Sequence, residues 1–336
     1  MDALQALRQI AFELERAGAP TYRVQAFRRA AQVLEALPPG ELSRRAQAGT
    51  LRALKGIGDT TAQVVTEAVR GEVPGYLARL LADQPDAPPH DALRMALRGD
   101  CHTHSDWSDG GSPPREMAEA ARDLGHEWIA LTDHSPRLTV AGGLSAERLR
   151  AQLALVGRLN RVLAPFRILT GIEVDILDDG ALDQSGELLS ALDVVVASVH
   201  SRLRMPADQM TERMVTAVSN PRVDVLGHCT GRLLTGRGRP ESAFDPGAVF
   251  TACRDHGVAV EINSRPERLD PPRNLLMLAS ELGCLFAIDS DAHAPGQLDW
   301  LVYGCARAVQ CGIDADRVIN TRSANELLRW TGDSDG

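Results

Sequence analysis

The sequence predicts an α/β protein: a distorted (β/α)7 barrel at 99–336, preceded by a small all-α domain at 1–81 and a linker at 82–98. Three observations carry this. Seven short β-rich apolar runs alternate with helical stretches after residue 99, the pattern of parallel strands covered by helices. The first 81 residues show only helical periodicity. Between them lies ADQPDAPPHDALRMALR, whose three prolines oppose regular structure.

In the N-terminal part, Leu4, Leu7, Ile10 and Leu14 mark one helix at 3–17, and Val24, Phe27, Ala31 and Leu34 a second at 23–37. Pro38-Pro39-Gly40 stops the second, and a third covers 41–48. Gly56 and Gly58 then form a tight turn before a helix that begins near Asp59. Such a turn can present free amides to a phosphate, or can be a plain joint between helices.

The apolar runs after the linker are Gly99–His102, Trp128–Thr132, Arg167–Glu173, Val194–Val199, Val223–Gly227, Val258–Ile262 and Leu285–Ile288. Helical stretches fall near 114–125, 145–163, 208–219, 245–256, 272–282 and 296–311. Seven alternations are one short of an eightfold barrel.

Composition excludes several classes. At 44 % apolar and 24 % charged residues the chain is ordinary globular protein, neither disordered nor fibrous. No apolar run approaches the ~18 residues of a membrane span, and the amphipathic N-terminus lacks leader character, so the expectation is a cytoplasmic protein without membrane partners. The six cysteines include no C-x-x-C pair and are expected to be reduced and mostly buried. Charge is uneven: residues 1–80 carry 11 Arg/Lys against 8 Asp/Glu, while the whole chain is at −9. A mildly basic head on an acidic body suits a polyanion at one end and cations at the other, although a surplus of three is also an ordinary solvated helical surface. Lys55 is the only lysine, so the C-terminal body has no lysine for a Schiff base or a metal bridge.

The chemistry falls at the strand ends, where a β/α barrel gathers its site. The first strand ends in His102-x-His104 with Asp109 following, the second in Asp133-His134, the third in Glu173 and the fourth runs into His200. The fifth leads to His228, the sixth ends Glu261-Ile262-Asn263, and the seventh ends in Asp291-x-His293. His102 and His104 lie two apart on an extended segment and share a face, as do Asp291 and His293. Six of nine histidines and three carboxylates at such ends predict a metal site; His90, His126 and His256 are read as structural. Nine ligand-type residues imply two or three divalent ions, and the imidazole–carboxylate mix suits Zn, Mn or Fe.

His102-Thr103-His104, Ser108-Asp109-Gly110, Thr132-Asp133-His134, Gly171-Ile172-Glu173, Val199-His200-Ser201, Gly227-His228 and Asp289-Ser290-Asp291-Ala292-His293 resemble the motifs of the PHP (polymerase and histidinol phosphatase) family, from about 98 to 330. MTERMVTAVSNPRVDVLGHCTGRLL and VEINSRPERLD are most similar to the PHP domain of bacterial family-X DNA polymerases. TYRVQAFRRAAQVLEAL and LKGIGDTTAQVV resemble the helix-hairpin-helix 8-kDa domain of the same polymerases. The palm and fingers have no counterpart here, and Val64 stands where lyase-active relatives carry a lysine, so neither polymerase nor lyase activity is expected.

The resemblance implies one ion at His102, His104, Glu173 and Asp291, a second at Glu173, His200 and His228, and a third at Asp109, His134 and His293. Asp109 stands where some members of the family carry histidine. The resemblance also implies phosphoester hydrolysis by attack of a metal-bridged hydroxide on phosphorus, with Glu173, Asp109 and His134 as catalytic candidates and no general acid named. Arg202, Arg232 and Arg265 are candidates to clamp phosphate, with Asp133 and Asn263 orienting neighbours. DNA is the expected partner of the N-terminal domain, through Gly56, Gly58, Arg23, Arg28 and Arg29, and the expected activity is a 3′→5′ exonuclease or 3′-end processor. The alternatives are a phosphatase of a small phosphomonoester such as histidinol phosphate, and a non-catalytic DNA-binding adaptor.

Overall fold

The computed structural model describes residues 1–83 and 92–332. The chain divides near residue 87 into two compact units, each described here by itself. The middle of the predicted linker, residues 84–91 with His90, lies outside the described residues.

The first unit is helical: α1 (Ala3–Arg16), α2 (Thr21–Glu35), α3 (Glu41–Ala48), α4 (Asp59–Val69) and α5 (Gly75–Ala82). Asp2 caps α1, accepting from the Gln5 amide at 2.8 Å while the Gln5 side chain accepts from the Asp2 amide at 3.3 Å, a reciprocal cap. One face of each helix is apolar, and Leu7, Ile10, Leu14, Phe27, Leu34, Val64, Val65 and Leu77 form a shared core. Val64 is therefore a core residue that faces inward. The helix α5 was not expected from the sequence.

The second unit begins with α6 (Ala92–Ala96), which buries Leu93 and Leu97 in the barrel's core. The end of the predicted linker is thus part of the barrel, held by two leucines at helical spacing that the neighbouring prolines obscured. Seven parallel strands follow in chain order, β1 (Gly99–Thr103), β2 (Trp128–Leu131), β3 (Arg167–Asp175), β4 (Val194–Ser198), β5 (Val225–Leu226), β6 (Ala259–Asn263) and β7 (Phe286–Asp289). Their residues are nearly all buried, as both faces of a parallel sheet require. The connecting helices are α7 (Pro114–Asp123), α8 (Ala146–Leu163), α9 (Gly186–Leu189), α10 (Ala207–Val218), α11 (Pro246–Asp255), α12 (Arg273–Glu281), α13 (Leu301–Gln310) and α14 (Ala324–Gly332). The strand predicted at Val223–Gly227 contracts to two residues, and the first turn predicted for the last barrel helix is a 3-10 turn at Pro295–Trp300.

With seven strands the barrel is nearly closed. A single parallel bridge, Thr103 to Ala292, joins the first and last strand ends. Side chains complete the seam. Asn320 donates to the carbonyls of Gly99 (3.2 Å) and Ile288 (2.9 Å) and accepts from the Ile288 amide (2.7 Å), while Asp289 accepts from the Cys101 amide at 2.9 Å. All six cysteines are free thiols, five of them buried. Among the described residues no helix is long and apolar enough to cross a membrane.

Candidate metal centre

The strand ends converge on Glu173, which is 1 % exposed. Its Oε2 lies 3.4 Å from His102 Nε2, 3.6 Å from His104 Nε2 and 2.8 Å from His134 Nδ1. Its Oε1 lies 3.2 Å from His200 Nε2 and 2.9 Å from His228 Nε2. Five imidazoles from four strand ends thus face one carboxylate. Alternation along β3 aims Glu173 at this rim, and the bridge between His134 and Glu173 sets the second strand end beside it.

The remaining predicted residues complete the cluster. Asp109 Oδ1 is 3.5 Å from His134 Nε2 and 3.3 Å from His293 Nε2. Asp291 Oδ1 is 3.4 Å from His104 Nε2 and 3.6 Å from His293 Nδ1. Three groups of donor atoms lie within 4.8 Å of one another: His104, Asp109, His134 and His293; His102, His104 and Glu173; His134, Glu173 and His200. The groups overlap, so the donors form one continuous chain.

The loop that carries Asp109 is fixed by Asp133, which accepts from the Ser105 amide (2.8 Å), the Ser105 and Ser108 hydroxyls (2.7 and 2.5 Å) and the Gln152 amide (2.6 Å). Gly110 closes the turn, since a Cβ there would stand 2.7 Å from the Ser105 carbonyl. Asn263 donates to Glu261 and Asp291, each at 3.2 Å.

Burial and mutual proximity govern the titration of the cluster. Burial raises the Glu173 carboxyl, but the imidazoles of His200, His134 and His102 overcome it and hold it well below the usual range. Burial likewise opposes the ionisation of Asp291, and a hydrogen bond from His104 with the charges of His102, Arg265 and His293 reverses the effect. Burial lowers His200, yet Glu173 and Asp175 carry it up to about 9. His104 is driven well below its ordinary value by burial and by His293 and His134. His228 is lowered by burial and by Arg268.

Metal ions fit this donor set. His102 Nε2, both nitrogens of His104, His134 Nδ1 and Glu173 Oε2 are buried without a hydrogen-bond partner. Buried polar atoms of that kind are costly unless another partner serves them, and nitrogen and oxygen donors at this spacing are what a divalent cation takes.

Three groups that the sequence left without a role support the cluster. Glu261 lies 2.6 Å from His102 Nδ1 and also accepts from the His228 amide. Asp175 accepts from the His200 amide at 3.1 Å and lies 3.3 Å from His200 Nδ1. Arg268 Nε is 3.3 Å from Asp291 Oδ2. Asp175 is two residues past Glu173 on β3 and Glu261 two before Asn263 on β6, so strand alternation was a signal for both. Arg268 comes from a loop and had none.

A cavity of about 470 Å³ opens above the cluster. Its lining includes Asp109, His134, Glu173, His200, His228, Asp291, His293, Arg265 and Arg268. Of the three arginines expected to clamp phosphate, Arg265 alone lines it. Arg232 is engaged by the carbonyls of Arg268 (2.9 Å) and Leu269 and by Glu241 (3.3 Å), and so braces the β6 loop. Arg202 is exposed and pairs with Asp178 at 2.9 Å.

In the helical unit, Gly56 has φ +102°, and a Cβ there would press on the Arg29 stem and Val33 at 3.2 Å. The Gly58 amide donates to Thr61 Oγ1 at 2.9 Å. Arg28 forms a two-point pair with Glu15 at 2.9 and 2.7 Å. Arg23 donates to the Tyr76 hydroxyl at 2.8 Å, and Arg29 is exposed.

Comparison with known proteins agrees with this geometry. A helix-hairpin-helix domain model matches residues 1–73, and a PHP domain model matches residues 100–265. The DNA polymerase/3′-5′ exonuclease PolX of Bacillus subtilis is 40 % identical over 231 residues, which cover 69 % of this chain and 40 % of that relative. The chain therefore spans less than half the length of that protein. A probable phosphatase of Thermoanaerobacter sp. is 31 % identical over 241 residues, covering 68 % of this chain and 91 % of the relative. A crystal structure of histidinol phosphate phosphatase from Lactococcus lactis, complexed with zinc, L-histidinol and phosphate, superposes with TM-score 0.46 at 18 % identity, covering 65 % of this chain and 95 % of that one. With an N-terminal helix-hairpin-helix domain, a seven-stranded barrel and this rim of imidazoles and acids, the chain belongs to the PHP-domain family and is a phosphoesterase hydrolase.

Proposed function

We propose that the protein is a metal-dependent phosphoesterase acting on DNA, as a 3′→5′ exonuclease or 3′-end processor. The observation that carries the reading is Glu173, a buried carboxylate faced by five imidazoles at 2.8–3.6 Å. His102, His104, Glu173 and Asp291 would hold one ion; Glu173, His200 and His228 a second; Asp109, His134 and His293 a third. Bound divalent ions supply Lewis acidity and lower the pKa of water toward neutrality.

The chain's own groups do the rest. Glu173 would bridge two positions and fix their spacing. Glu261 and Asp175 orient His102 and His200, so that the opposite ring nitrogens face Glu173. Arg265 and Arg268, both lining the cavity, would bind the non-bridging phosphate oxygens. Arg268 is suited to this, because its Nη1 is buried and makes no hydrogen bond while its Nε faces Asp291 Oδ2 at 3.3 Å. Asp109, whose side chain is 36 % exposed, stands at the open side, with His134 behind it.

DNA is favoured as substrate by the helix-hairpin-helix match and by the likeness to PolX. In the helical unit, Gly56, Gly58, Arg23 and Arg29 would meet the phosphate backbone, with Arg28 supporting the surface through its pair with Glu15. A second reading, a phosphatase of a small phosphomonoester such as histidinol phosphate, is favoured by the probable phosphatase that aligns over 91 % of its own length.

The test is metal analysis of the purified protein, followed by a panel of single-stranded and 3′-recessed DNA and of phosphomonoesters under manganese. Release of nucleotides from DNA 3′ ends is expected. Rapid cleavage of histidinol phosphate with intact DNA would transfer the protein to the second reading.

A further inference from the structure

The upper wall of the cavity is unlike its floor. Above the acids and imidazoles it is lined by Leu138, Val140, Ala141, Leu233 and Thr235. Val140 is 93 % exposed, the most exposed large apolar residue among those described. A lone apolar residue on a surface needs no explanation, but this one stands at the mouth of a site beside other apolar side chains.

Both sides of that mouth are firmly built. On one side, the Ala141 and Gly143 amides donate to the Leu138 carbonyl at 3.1 and 3.2 Å, and Arg148 donates to the Gly142 carbonyl at 2.6 Å. On the other, Leu233 and Arg239 exchange two backbone hydrogen bonds at 2.9 Å, forming a short hairpin. The Leu234 amide ties that hairpin to the Glu267 carbonyl at 2.7 Å. Alternation places Leu233 and Thr235 on the cavity side and leaves Leu234 outward, 53 % exposed. Surfaces held this way lose little freedom when a ligand enters.

We propose that Leu138, Val140 and Leu233 form an apolar jaw that grips the nucleoside of the strand-terminal nucleotide while its phosphate lies on the floor. This deepens the DNA reading above and rests on it for the identity of the strand. Three features select a nucleoside. The floor, with Arg265 and Arg268, takes a phosphate, so the occupant of the jaw is what that phosphate esterifies. The cavity, at about 470 Å³, lies within the range of about 300–1,000 Å³ of small-molecule sites. A base offers two apolar faces to the jaw and polar edges to Thr235, whereas an amino alcohol needs a carboxylate. Glu267, the one carboxylate on the upper lining, lies 3.3 Å from Arg265 Nε.

The experiment is calorimetric titration of the manganese-loaded protein with thymidine 5′-monophosphate, inorganic phosphate and phosphoethanolamine. Thymidine monophosphate is expected to bind at least tenfold tighter than phosphate. Val140→Ser and Leu233→Ser should each reduce that ratio about three- to tenfold, the double variant should bring it close to one, and Val140→Ile should retain it. Val140 is almost wholly exposed, so its substitution tests the jaw even if Leu233→Ser perturbs the hairpin. Equal binding of the nucleotide and phosphate by the wild type, a ratio that survives in the double variant, or tighter binding of phosphoethanolamine would each overturn the jaw. If the ratios behave as expected but DNA is not cleaved, the DNA reading falls and the nucleoside jaw stands. If DNA is cleaved and the ratios do not change, the reverse holds.

Discussion

The helical unit and the barrel rim treat charged groups in opposite ways. In the helices the partly buried charges are paired at short range. Arg28 meets Glu15 at two points and Arg16 meets Glu13 at 2.8 Å, both glutamates being 4 % exposed. At the rim, buried imidazole nitrogens and a Glu173 oxygen crowd together without hydrogen bonds. A polar atom buried in that state costs folding free energy, so the rim is a place where stability has been exchanged for affinity toward cations. Charge near a core is structural where each group has its own partner, and functional where several groups face one shared space.

Glu173→Gln should sharpen this contrast most. Losing one negative charge among five imidazoles should lower phosphoesterase turnover by about 10³-fold or more and reduce bound metal. Elemental analysis and steady-state kinetics would check it, and full metal content at full activity would refute the bridging role. Asn320→Ala tests the seam below the rim. It strips partners from the Gly99 and Ile288 carbonyls and the Ile288 amide, and should destabilise the barrel by about 2–4 kcal/mol, read by urea unfolding.

Glu15→Ala addresses the other region. It leaves Arg28 partly buried without its two-point partner and should cost the helical unit about 1–3 kcal/mol, while turnover of a phosphomonoester is unchanged. Reduced turnover with normal stability would contradict the structural role of that pair. A pH-dependent effect concerns Asp224, whose carboxyl is pushed up to about 8 by burial despite accepting from the Val195 amide at 2.7 Å. The folded chain thus retains a proton there that the unfolded chain releases near pH ~4. Stability should fall as pH rises from about 4 to 8, and Asp224→Asn should flatten that part of the melting-temperature profile. An unaltered slope would show that the carboxyl ionises freely in the folded state.

The strands were legible because buried parallel strands are continuous apolar runs, and β4, Val194–Ser198, reads as little else. The nine rim residues were legible because each ends or follows such a run. The groups behind them were not. Glu261 stands in the motif that ends the sixth strand with no role assigned, and Asp175 lies just past the predicted third strand, so only the placing of His102 and His200 against them shows what they do. Arg232 and Arg265 are indistinguishable in sequence, since both follow a motif strand. One guanidinium turns to loop carbonyls and the other to the cavity.

Local pattern alone determined the alternation of strand and helix, the chain's division into a helical head and a barrel, and the chemical kind of the rim. Those depend on burial periodicity and residue type, which are local. Contacts between distant segments decided how the first and last strands are sealed by Asn320, which carboxylate the imidazoles share, which arginine reaches the cavity, and that Val140 and Leu233 stand at one mouth. Such relations come from chain closure and packing between segments tens to more than two hundred residues apart, where no short-range periodicity operates.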